Sequence, residues 1–330
     1  MWFKNLFIFQ LTKSDFFKQI NLEEQLKNNV FAPCLATELT RSGWVSALQD
    51  TENLVHSAKN DEYMMLRRQT ETKVLPADFV IREVNKAVKV IETEQARKAT
   101  KKEREQIKDD VTFKHLPHAF SVYQTTELYI DNHHEILIIN TSKRSEAEDI
   151  LALLRCSIGT LPVTSYFDKH QVQTCLNGWV LGEREVPNAL VIGDNIKLSG
   201  TGDVKPVATF QNEDVFDERI VSLIKEDGRD IDYLDIAFDA CFSMQISDDG
   251  AIKKVNFFDV LTEQNDDIDS DDLLARVDAD FVLFAGEVSR LIYEFKELEL
   301  IMKVEKEPFD PSTLSSTLTE VAEEPEGIEA

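Results

Sequence analysis

Six basic side chains lie close together between residues 97 and 108, and their chemistry is that of phosphate binding. Only two acids, Glu103 and Glu105, fall among them, so this segment carries a formal charge of +4. Phosphate binding requires several cations on one accessible surface, because each neutralised phosphate releases condensed counterions. A solvated, salt-bridged helix end is the alternative that the charges alone leave open. The six bases are Arg97, Lys98, Lys101, Lys102, Arg104 and Lys108.

The residues before this segment predict an amphipathic helix that begins after Pro76. Its apolar side chains recur at intervals of three and four residues, which places them on one face. These apolar residues are Val80, Val84, Val88 and Ile91. Three further bases on this helix extend the predicted phosphate-binding surface, and they are Arg82, Lys86 and Lys89.

The basic segment itself is predicted to open a second helix. Thr100 and Glu103 have the spacing of a capping box, in which each side chain accepts a hydrogen bond from the other residue's backbone N–H. This helix is expected to end at Pro117. We expect the two helices to form a protruding hairpin, and one continuous helix of about 35 residues is the alternative.

The whole chain is strongly acidic. Its 330 residues include 36 Lys or Arg and 61 Asp or Glu, which gives a formal net charge of −25. Nucleic acid should repel such a chain on average. A local basic surface can still attract phosphate, because charges at physiological salt are screened over about 8 Å. The placement of the bases is therefore more informative than the net charge.

No catalytic arrangement stands out. The chain has only 11 glycines and lacks the phosphate-loop, dinucleotide-binding and nucleophile-elbow motifs. Its four cysteines lack zinc-site spacing, and His133 and His134 are expected in a turn rather than on a metal. The acidic run at 267–272 departs from a calcium loop, so a helix-capping turn is the better interpretation. We expect no catalytic residue, no metal and no cofactor.

The order of predicted elements indicates an α+β fold. We expect antiparallel sheets with packed helices in two related β-hairpin/helix units, the first with its turn over residues 131–134. The predicted divisions are 1–75 with 116–170 as the first core unit, 76–115 as the basic helical hairpin, 171–230 as a small irregular β-rich region, 231–304 as the second core unit, and 305–330 as an acidic disordered tail.

Individual elements follow from the same patterns. We expect helices over 15–28, 145–157, 272–277 and 286–300, and strands over 63–68, 72–75, 120–130, 135–140, 233–246, 252–258 and 279–284. The apolar start, residues 1–11, is predicted to be a strand, because it is too short for a membrane helix and lacks a signal-peptide cleavage site. We therefore expect a cytoplasmic protein with no membrane partner.

Short segments spread along the chain carry a resemblance to a known family. They are Trp2-Phe3-Lys4-Asn5-Leu6, Phe31-Ala32-Pro33-Cys34, Gly43-Trp44-Val45, Glu94-Gln95-Ala96-Arg97-Lys98, Leu116-Pro117-His118-Ala119-Phe120-Ser121, Leu151-Ala152-Leu153-Leu154-Arg155, Asn265-Asp266-Asp267-Ile268-Asp269 and Asp278-Ala279-Asp280-Phe281. Together they resemble the bacterial family of recombination-associated proteins called RdgC. The match extends from residue 1 to about residue 300 and leaves the acidic tail outside it.

The resemblance implies both a function and an assembly. Members of this family bind double-stranded DNA with little sequence preference and associate with the nucleoid. They form ring-shaped homodimers whose positively lined hole can encircle a duplex, and they restrain the recombinase RecA by occupying DNA. We accordingly expect duplex DNA and a second copy of this chain as partners, RecA as a further candidate, and no small-molecule substrate.

The family's roles can be assigned to a few residues by this resemblance. Arg97 and Lys98 match a DNA-associated segment. Phe120 matches an aromatic residue that lies where two subunits meet, with an ordinary core aromatic as the alternative. His118 is assigned to the same interface and stands where arginine is expected, so its charge depends on pH near neutrality. Residues 209–214 lack the bases of relatives, which predicts a weaker grip on DNA there.

Two other functions are open alternatives to a DNA-binding ring. The acidic surface and tail could contact a recombination protein directly, with DNA binding as a secondary activity. A metal-dependent nuclease would have to cleave DNA in the presence of magnesium. The ring is favoured because the resemblance and the basic hairpin support it together.

Overall fold

A computed structural model describes residues 2–48, 51–200, 205–265, 268 and 273–309. Over these residues the chain folds into two antiparallel sheets, a short parallel strand pair and eight α-helices. This arrangement confirms the predicted α+β class. The strands are β1 (Phe7–Leu11), β2 (Lys13–Ser14), β3 (Thr40–Val45), β4 (Val55–Ala58), β5 (Tyr63–Val74), β6 (Phe120–Asp131), β7 (Ile136–Ile139), β8 (Val163–Ser165), β9 (Leu190–Ser199), β10 (Val207–Phe210), β11 (Asp230–Phe238), β12 (Phe242–Ser247), β13 (Ile252–Phe257) and β14 (Glu307–Pro308). The helices are α1 (Leu22–Leu26), α2 (Ala77–Gln95), α3 (Lys101–His115), α4 (Arg144–Ile158), α5 (Lys169–Leu181), α6 (Glu218–Lys225), α7 (Asp259–Thr262) and α8 (Leu273–Glu297).

The larger sheet contains a long two-stranded ribbon. Its strand order is β3-β5-β6-β7-β1-β8, and β4 also pairs with β5. β5 and β6 pair continuously from Tyr63 opposite Asp131 to Val74 opposite Phe120. The predicted break between 63–68 and 72–75 is therefore wrong, because the ladder to β6 continues through it. The hairpin predicted around residues 131–134 is confirmed and joins β6 to β7.

The hydrophobic core is divided between the two faces of this sheet. Because side chains alternate along a strand, Tyr63 and Met65 belong to the core that α5 and α8 cover, whereas Met64 and Leu66 belong to the core under α1 and α4. Farther along the ribbon both cores end, and residues 120–125 of β6 are exposed. The ribbon thus carries the helices that follow β5 away from the packed interior.

The smaller sheet has the order β10-β9-β11-β12-β13. β9 pairs with β11, so this sheet joins the predicted region 171–230 to the predicted unit 231–304. The single strand predicted over 233–246 is wrong. The chain turns at Asp239 and Ala240, both of which have left-handed φ angles, and forms the two strands β11 and β12.

The long helix α8 replaces three predicted elements. The strand predicted over 279–284 is wrong, because these residues lie inside the helix, as do residues 273–277 and 286–297 of the two helices predicted on either side. One face of α8 is buried at intervals of three and four residues, through Phe281, Phe284, Val288, Leu291 and Phe295. Gly286 lies at the predicted boundary but has open space around it and does not interrupt the helix.

The helix predicted over 15–28 is also wrong in extent. The chain makes one 3-10 turn at Phe17–Gln19, an extended residue at Ile20, and then the short α1. Asn21 caps α1, because its side chain accepts a hydrogen bond from the Glu24 N–H at 3.2 Å. A capping asparagine favours a new helix start over continuation of the preceding turn.

Candidate nucleic-acid interface

The basic segment lies on two separate helices joined by a short turn. α2 ends at Ala96, which has a left-handed φ of 52°, and α3 begins after Thr100. The predicted capping box is present. The Thr100 hydroxyl accepts a hydrogen bond from the Glu103 N–H, and the Glu103 carboxylate accepts one from the Thr100 N–H. The alternative of one continuous helix is therefore excluded.

The two helices, together called the helical hairpin below, pack chiefly on each other. Val80, Val88 and Ile107 are buried in the seam between them, and most of their other side chains are exposed. The hairpin follows the end of the ribbon at which Val74 lies opposite Phe120. Its charged side chains are therefore carried at one end of the molecule's longest strand pair.

Six of the nine predicted cationic residues share one face of the hairpin. Ile81 and Asn85 line two adjoining depressions there, one on α2 and one between the helices. The bases along these depressions are Arg82, Lys86, Lys89, Lys101, Arg104 and Lys108. The depression between the helices is floored by Val80, Ile81 and Val84, and the acids along the two depressions are Asp78 and Glu105. We call this surface the groove face.

The other three predicted residues lie elsewhere on the hairpin. Arg97 and Lys98 are in the turn, and Lys102 is rotated about 100° around α3 from Lys101. The structure thus separates the predicted cluster of bases into six on the groove face and three outside it. Sequence reasoning missed the floor of the groove, because the 57% exposure of Ile81 depends on how the two helices pack and not on either helix alone.

Internal ion pairs engage four of the nine bases. Arg97 makes a two-point contact with Glu103, with nitrogen–oxygen distances of 2.5 and 2.9 Å. This contact, together with the cap at Thr100, lowers the pKa of Glu103 to about 2. The other pairs are Arg104 with Glu92 (3.2 Å), Lys86 with Glu83 (2.8 Å) and Arg82 with Glu83 (3.8 Å).

The remaining five bases have no ion-pair partner within 4.0 Å among the residues that the structure describes. They are Lys89, Lys98, Lys101, Lys102 and Lys108. Three of them, Lys89, Lys101 and Lys108, belong to the groove face. An exposed ion pair contributes only about 0–1 kcal/mol, so the paired bases can also exchange a carboxylate for a phosphate. The groove face therefore offers several cations to a phosphate backbone.

Half of the hairpin's eight acids lie away from the groove by helical spacing. Glu83 and Glu94 lie three turns apart on α2, and Glu103 and Asp110 lie two turns apart on α3. By helical spacing these four fall on the side of the Val80 seam away from the groove. From residue 77 to 115 there are ten Lys or Arg and eight Asp or Glu. The small net charge of the hairpin thus conceals an uneven distribution, in which the groove face gathers six bases while Glu83 and Glu92 pair with three of them.

The predicted interface residues are both exposed. Phe120 is 81% exposed, which excludes the alternative of an ordinary core aromatic, and His118 is exposed beside it in the chain. Phe120 shares its sheet face with Val122, and Val74 lies directly opposite it; these two are 55% and 44% exposed. The end of the ribbon therefore presents an uncovered apolar stripe next to the hairpin.

Other predicted features have structural explanations. His133 and His134 lie in the β6–β7 turn, where both N–H groups donate to Asp131. Within the described parts of the chain, no group of three His, Cys, Asp or Glu could hold a metal ion. Of the acidic run at 267–272 only Ile268 lies inside those parts, and of the predicted tail only residues 305–309 do.

Residues 209–214 begin on β10, an edge strand of the smaller sheet. The sequence places no base there, so this stretch adds no cation to the candidate interface. No helix within the described residues has both the length and the apolar composition that crossing a membrane requires.

Comparison with known proteins gives one consistent relationship. A family model described as "Putative exonuclease, RdgC" matches residues 1–300. A protein named "Recombination-associated protein RdgC" from Colwellia psychrerythraea is 40% identical over 295 residues, which is 89% of this chain and 95% of that protein. Proteins of the same name from Proteus mirabilis and Yersinia enterocolitica are 35% and 32% identical, each over 88% of this chain and over 96% and 95% of their own lengths.

Proposed function

The chain belongs to the RdgC family of recombination-associated proteins, and from that premise we propose that it binds double-stranded DNA without sequence preference as a ring-shaped homodimer. In this proposal the ring encircles the duplex in the nucleoid and restrains RecA-dependent recombination by occupying DNA that RecA would use. RecA itself need not be contacted for this restraint to operate.

The observation that carries the proposal is the groove face of the helical hairpin. It brings six bases from two helices onto one surface, although the chain as a whole has a net charge of −25. Contacts from such bases to phosphates position a protein on the duplex without reading its sequence. Such a surface is suited to binding duplexes of any sequence.

The exposed stripe at the end of the ribbon supports the dimer. Phe120, Val122 and Val74 form an apolar surface that water covers in the single chain. Burying this stripe against the same stripe of a second copy would remove apolar area from water on both sides, as an isologous interface does. His118 lies next to this surface and would approach it in such a pair.

Binding without cleavage is the activity proposed here. The clustered charges of the candidate interface are cations, which hold phosphates, whereas metal-assisted cleavage needs carboxylates or histidines that converge on an ion. The word exonuclease appears in the description of the family model and describes the family, not an activity of this chain. Incubating the purified chain with duplex DNA and magnesium tests this part, and shortened DNA would contradict it.

The ring can be tested by comparing closed circular and linear duplexes of one sequence. An electrophoretic shift, challenged with rising salt, should show slower loss from the closed circle, because a ring slides off a free end but not off a circle. Equal loss from both forms would contradict encirclement. If rising salt dissociates the protein equally from duplexes of unrelated sequence, that result would still support non-specific binding.

Direct protein contact is the second candidate. It rests on the acidic end of the chain, which lies beyond the family model and carries eight acids and one base from residue 305 onward. Removing residues 310–330 distinguishes the two candidates. If inhibition of RecA disappears while DNA binding persists, the contact with a recombination protein is the main activity.

A further inference from the structure

The chain beyond the family match is held on the body as far as Phe309. The Met302 N–H donates to the Tyr166 carbonyl at 2.9 Å, and Gln10 Nε2 donates to the Met302 carbonyl at 2.8 Å. β14 then pairs in parallel with β2. Phe309 is only 5% exposed, and its ring centre lies 4.5 Å from that of Phe16. Residues 310–330 therefore start from a fixed point.

The sequence of residues 310–330 combines two kinds of side chain. Leu314, Leu318 and Val321 are spaced by four and three residues, the spacing of one helix face. Six acids and no base accompany them, and the acids are Asp310, Glu320, Glu323, Glu324, Glu326 and Glu329. Residues 310–330 are therefore suited to bind a surface that combines apolar area with positive charge.

The groove between α2 and α3 has this combination. Its floor is apolar, and Ile81 on that floor is 57% exposed. Its α3 wall carries Lys101, Arg104 and Lys108. A phosphate backbone would use the bases but gains nothing from an apolar floor. The floor therefore points to a second ligand that has apolar side chains as well as acids.

We infer that residues 310–330 of one copy dock in the hairpin groove of a second copy and compete there with DNA. The apolar residues of the segment would cover Ile81 and Val84, and its acids would pair with the bases of the α3 wall. Docking itself is independent of the proposed function, whereas the competition rests on it. DNA binding would then weaken as copies crowd together.

The position of Phe309 limits where Leu314 can dock. Phe309 lies beside β2, near the end of the ribbon at which Asp15 N–H donates to Glu135, whereas the hairpin follows the opposite end. The twelve residues of β6 separate these ends by roughly 37 Å. From Phe309 to Leu314 the chain spans at most about 18 Å. Leu314 therefore cannot reach the groove of its own copy, and docking that uses Leu314 together with Leu318 and Val321 requires a second copy.

The test uses a fluorescent peptide of residues 310–330 and the full-length chain with Leu314→Ser, Leu318→Ser and Val321→Ser, whose own segment no longer competes. Fluorescence anisotropy should show saturable binding. Adding Ile81→Ser to the acceptor should weaken binding about tenfold, the effect of losing one apolar contact. Phe113→Ser is the matched control, because Phe113 is an equally exposed apolar residue of the hairpin (59%) outside the groove.

Three outcomes decide the inference. A peptide that has the three serines and all its acids should not bind; if it binds as well as the natural one, charge alone is responsible and the groove is not the site. If Ile81→Ser and Phe113→Ser behave alike, docking is likewise refuted. If the peptide docks but leaves bound DNA in place, the competition is refuted. Absence of DNA binding in every variant would instead refute the proposed function.

Discussion

The unpaired lysines of the groove face set the expected salt dependence of DNA binding. Each phosphate contact contributes about 0.9 to the slope of log affinity against log salt. If Lys89, Lys101 and Lys108 each contact one phosphate, replacing all three by alanine should flatten the slope by about 2.7. Between about 100 and 400 mM salt, the variant should then lose roughly 40-fold less affinity than the natural chain.

A matched variant separates this effect from a change in net charge. Lys98, Lys102 and Lys114 are also exposed and unpaired among the described residues, but they lie off the groove face. Replacing these three by alanine removes the same charge from the same hairpin. Both variants can be titrated by fluorescence anisotropy on several unrelated duplexes. Equal slopes in the two variants, or an unchanged slope in the groove-face variant, would refute the assignment of the groove face.

Three further changes test separate parts of the structure. Phe120→Ser should weaken self-association about tenfold or more in sedimentation equilibrium. At concentrations low enough to keep both proteins monomeric, it should leave the melting temperature unchanged, because Phe120 is 81% exposed in the single chain. Glu103→Gln should release Arg97 while glutamine preserves the helix cap, and a salt slope steeper by about 1 would place Arg97 at the DNA. Asp131→Asn should destabilise the fold by about 2 kcal/mol in chemical denaturation, because the buried carboxylate accepts several hydrogen bonds. Burial would raise the pKa of Asp131, but hydrogen bonds from His134 outweigh it and lower this pKa below its usual value. The loss of stability in the Asp131→Asn variant should therefore be full above about pH 4 and shrink below it.

Local chemistry explains which elements the sequence predicts well. The capping box at Thr100 and the apolar stripe of α2 involve residues within one turn of each other, so their geometry follows from spacing alone. The segment Val277-Asp278-Ala279-Asp280-Phe281 alternates like a strand, yet it lies in a helix. The tertiary environment decides between strand and helix here, because α8 buries one face against core residues that are distant in sequence.

The candidate site was harder to predict than the helices that carry it. The identity of the bases is local information, but their grouping depends on how α2 packs against α3. The pairing of Arg97 with Glu103 also depends on the left-handed turn at Ala96, which brings together residues six positions apart. Likewise, alternation along β6 cannot show whether Phe120 is covered, since that depends on what packs over the ribbon.

The acidic body limits the range of salt in which the linear relation should hold. The chain outside residues 77–115 carries a net charge of −27, since the hairpin carries +2. At about 0.01 M salt the Debye length is roughly 30 Å, and the body's acids then repel DNA that approaches the groove face. Above about 0.1 M it falls below about 10 Å, which is short compared with a hairpin at the end of a ribbon roughly 37 Å long. The attraction at the groove face should therefore dominate only above about 0.1 M, and the plot of log affinity against log salt should bend to a shallower slope at lower salt.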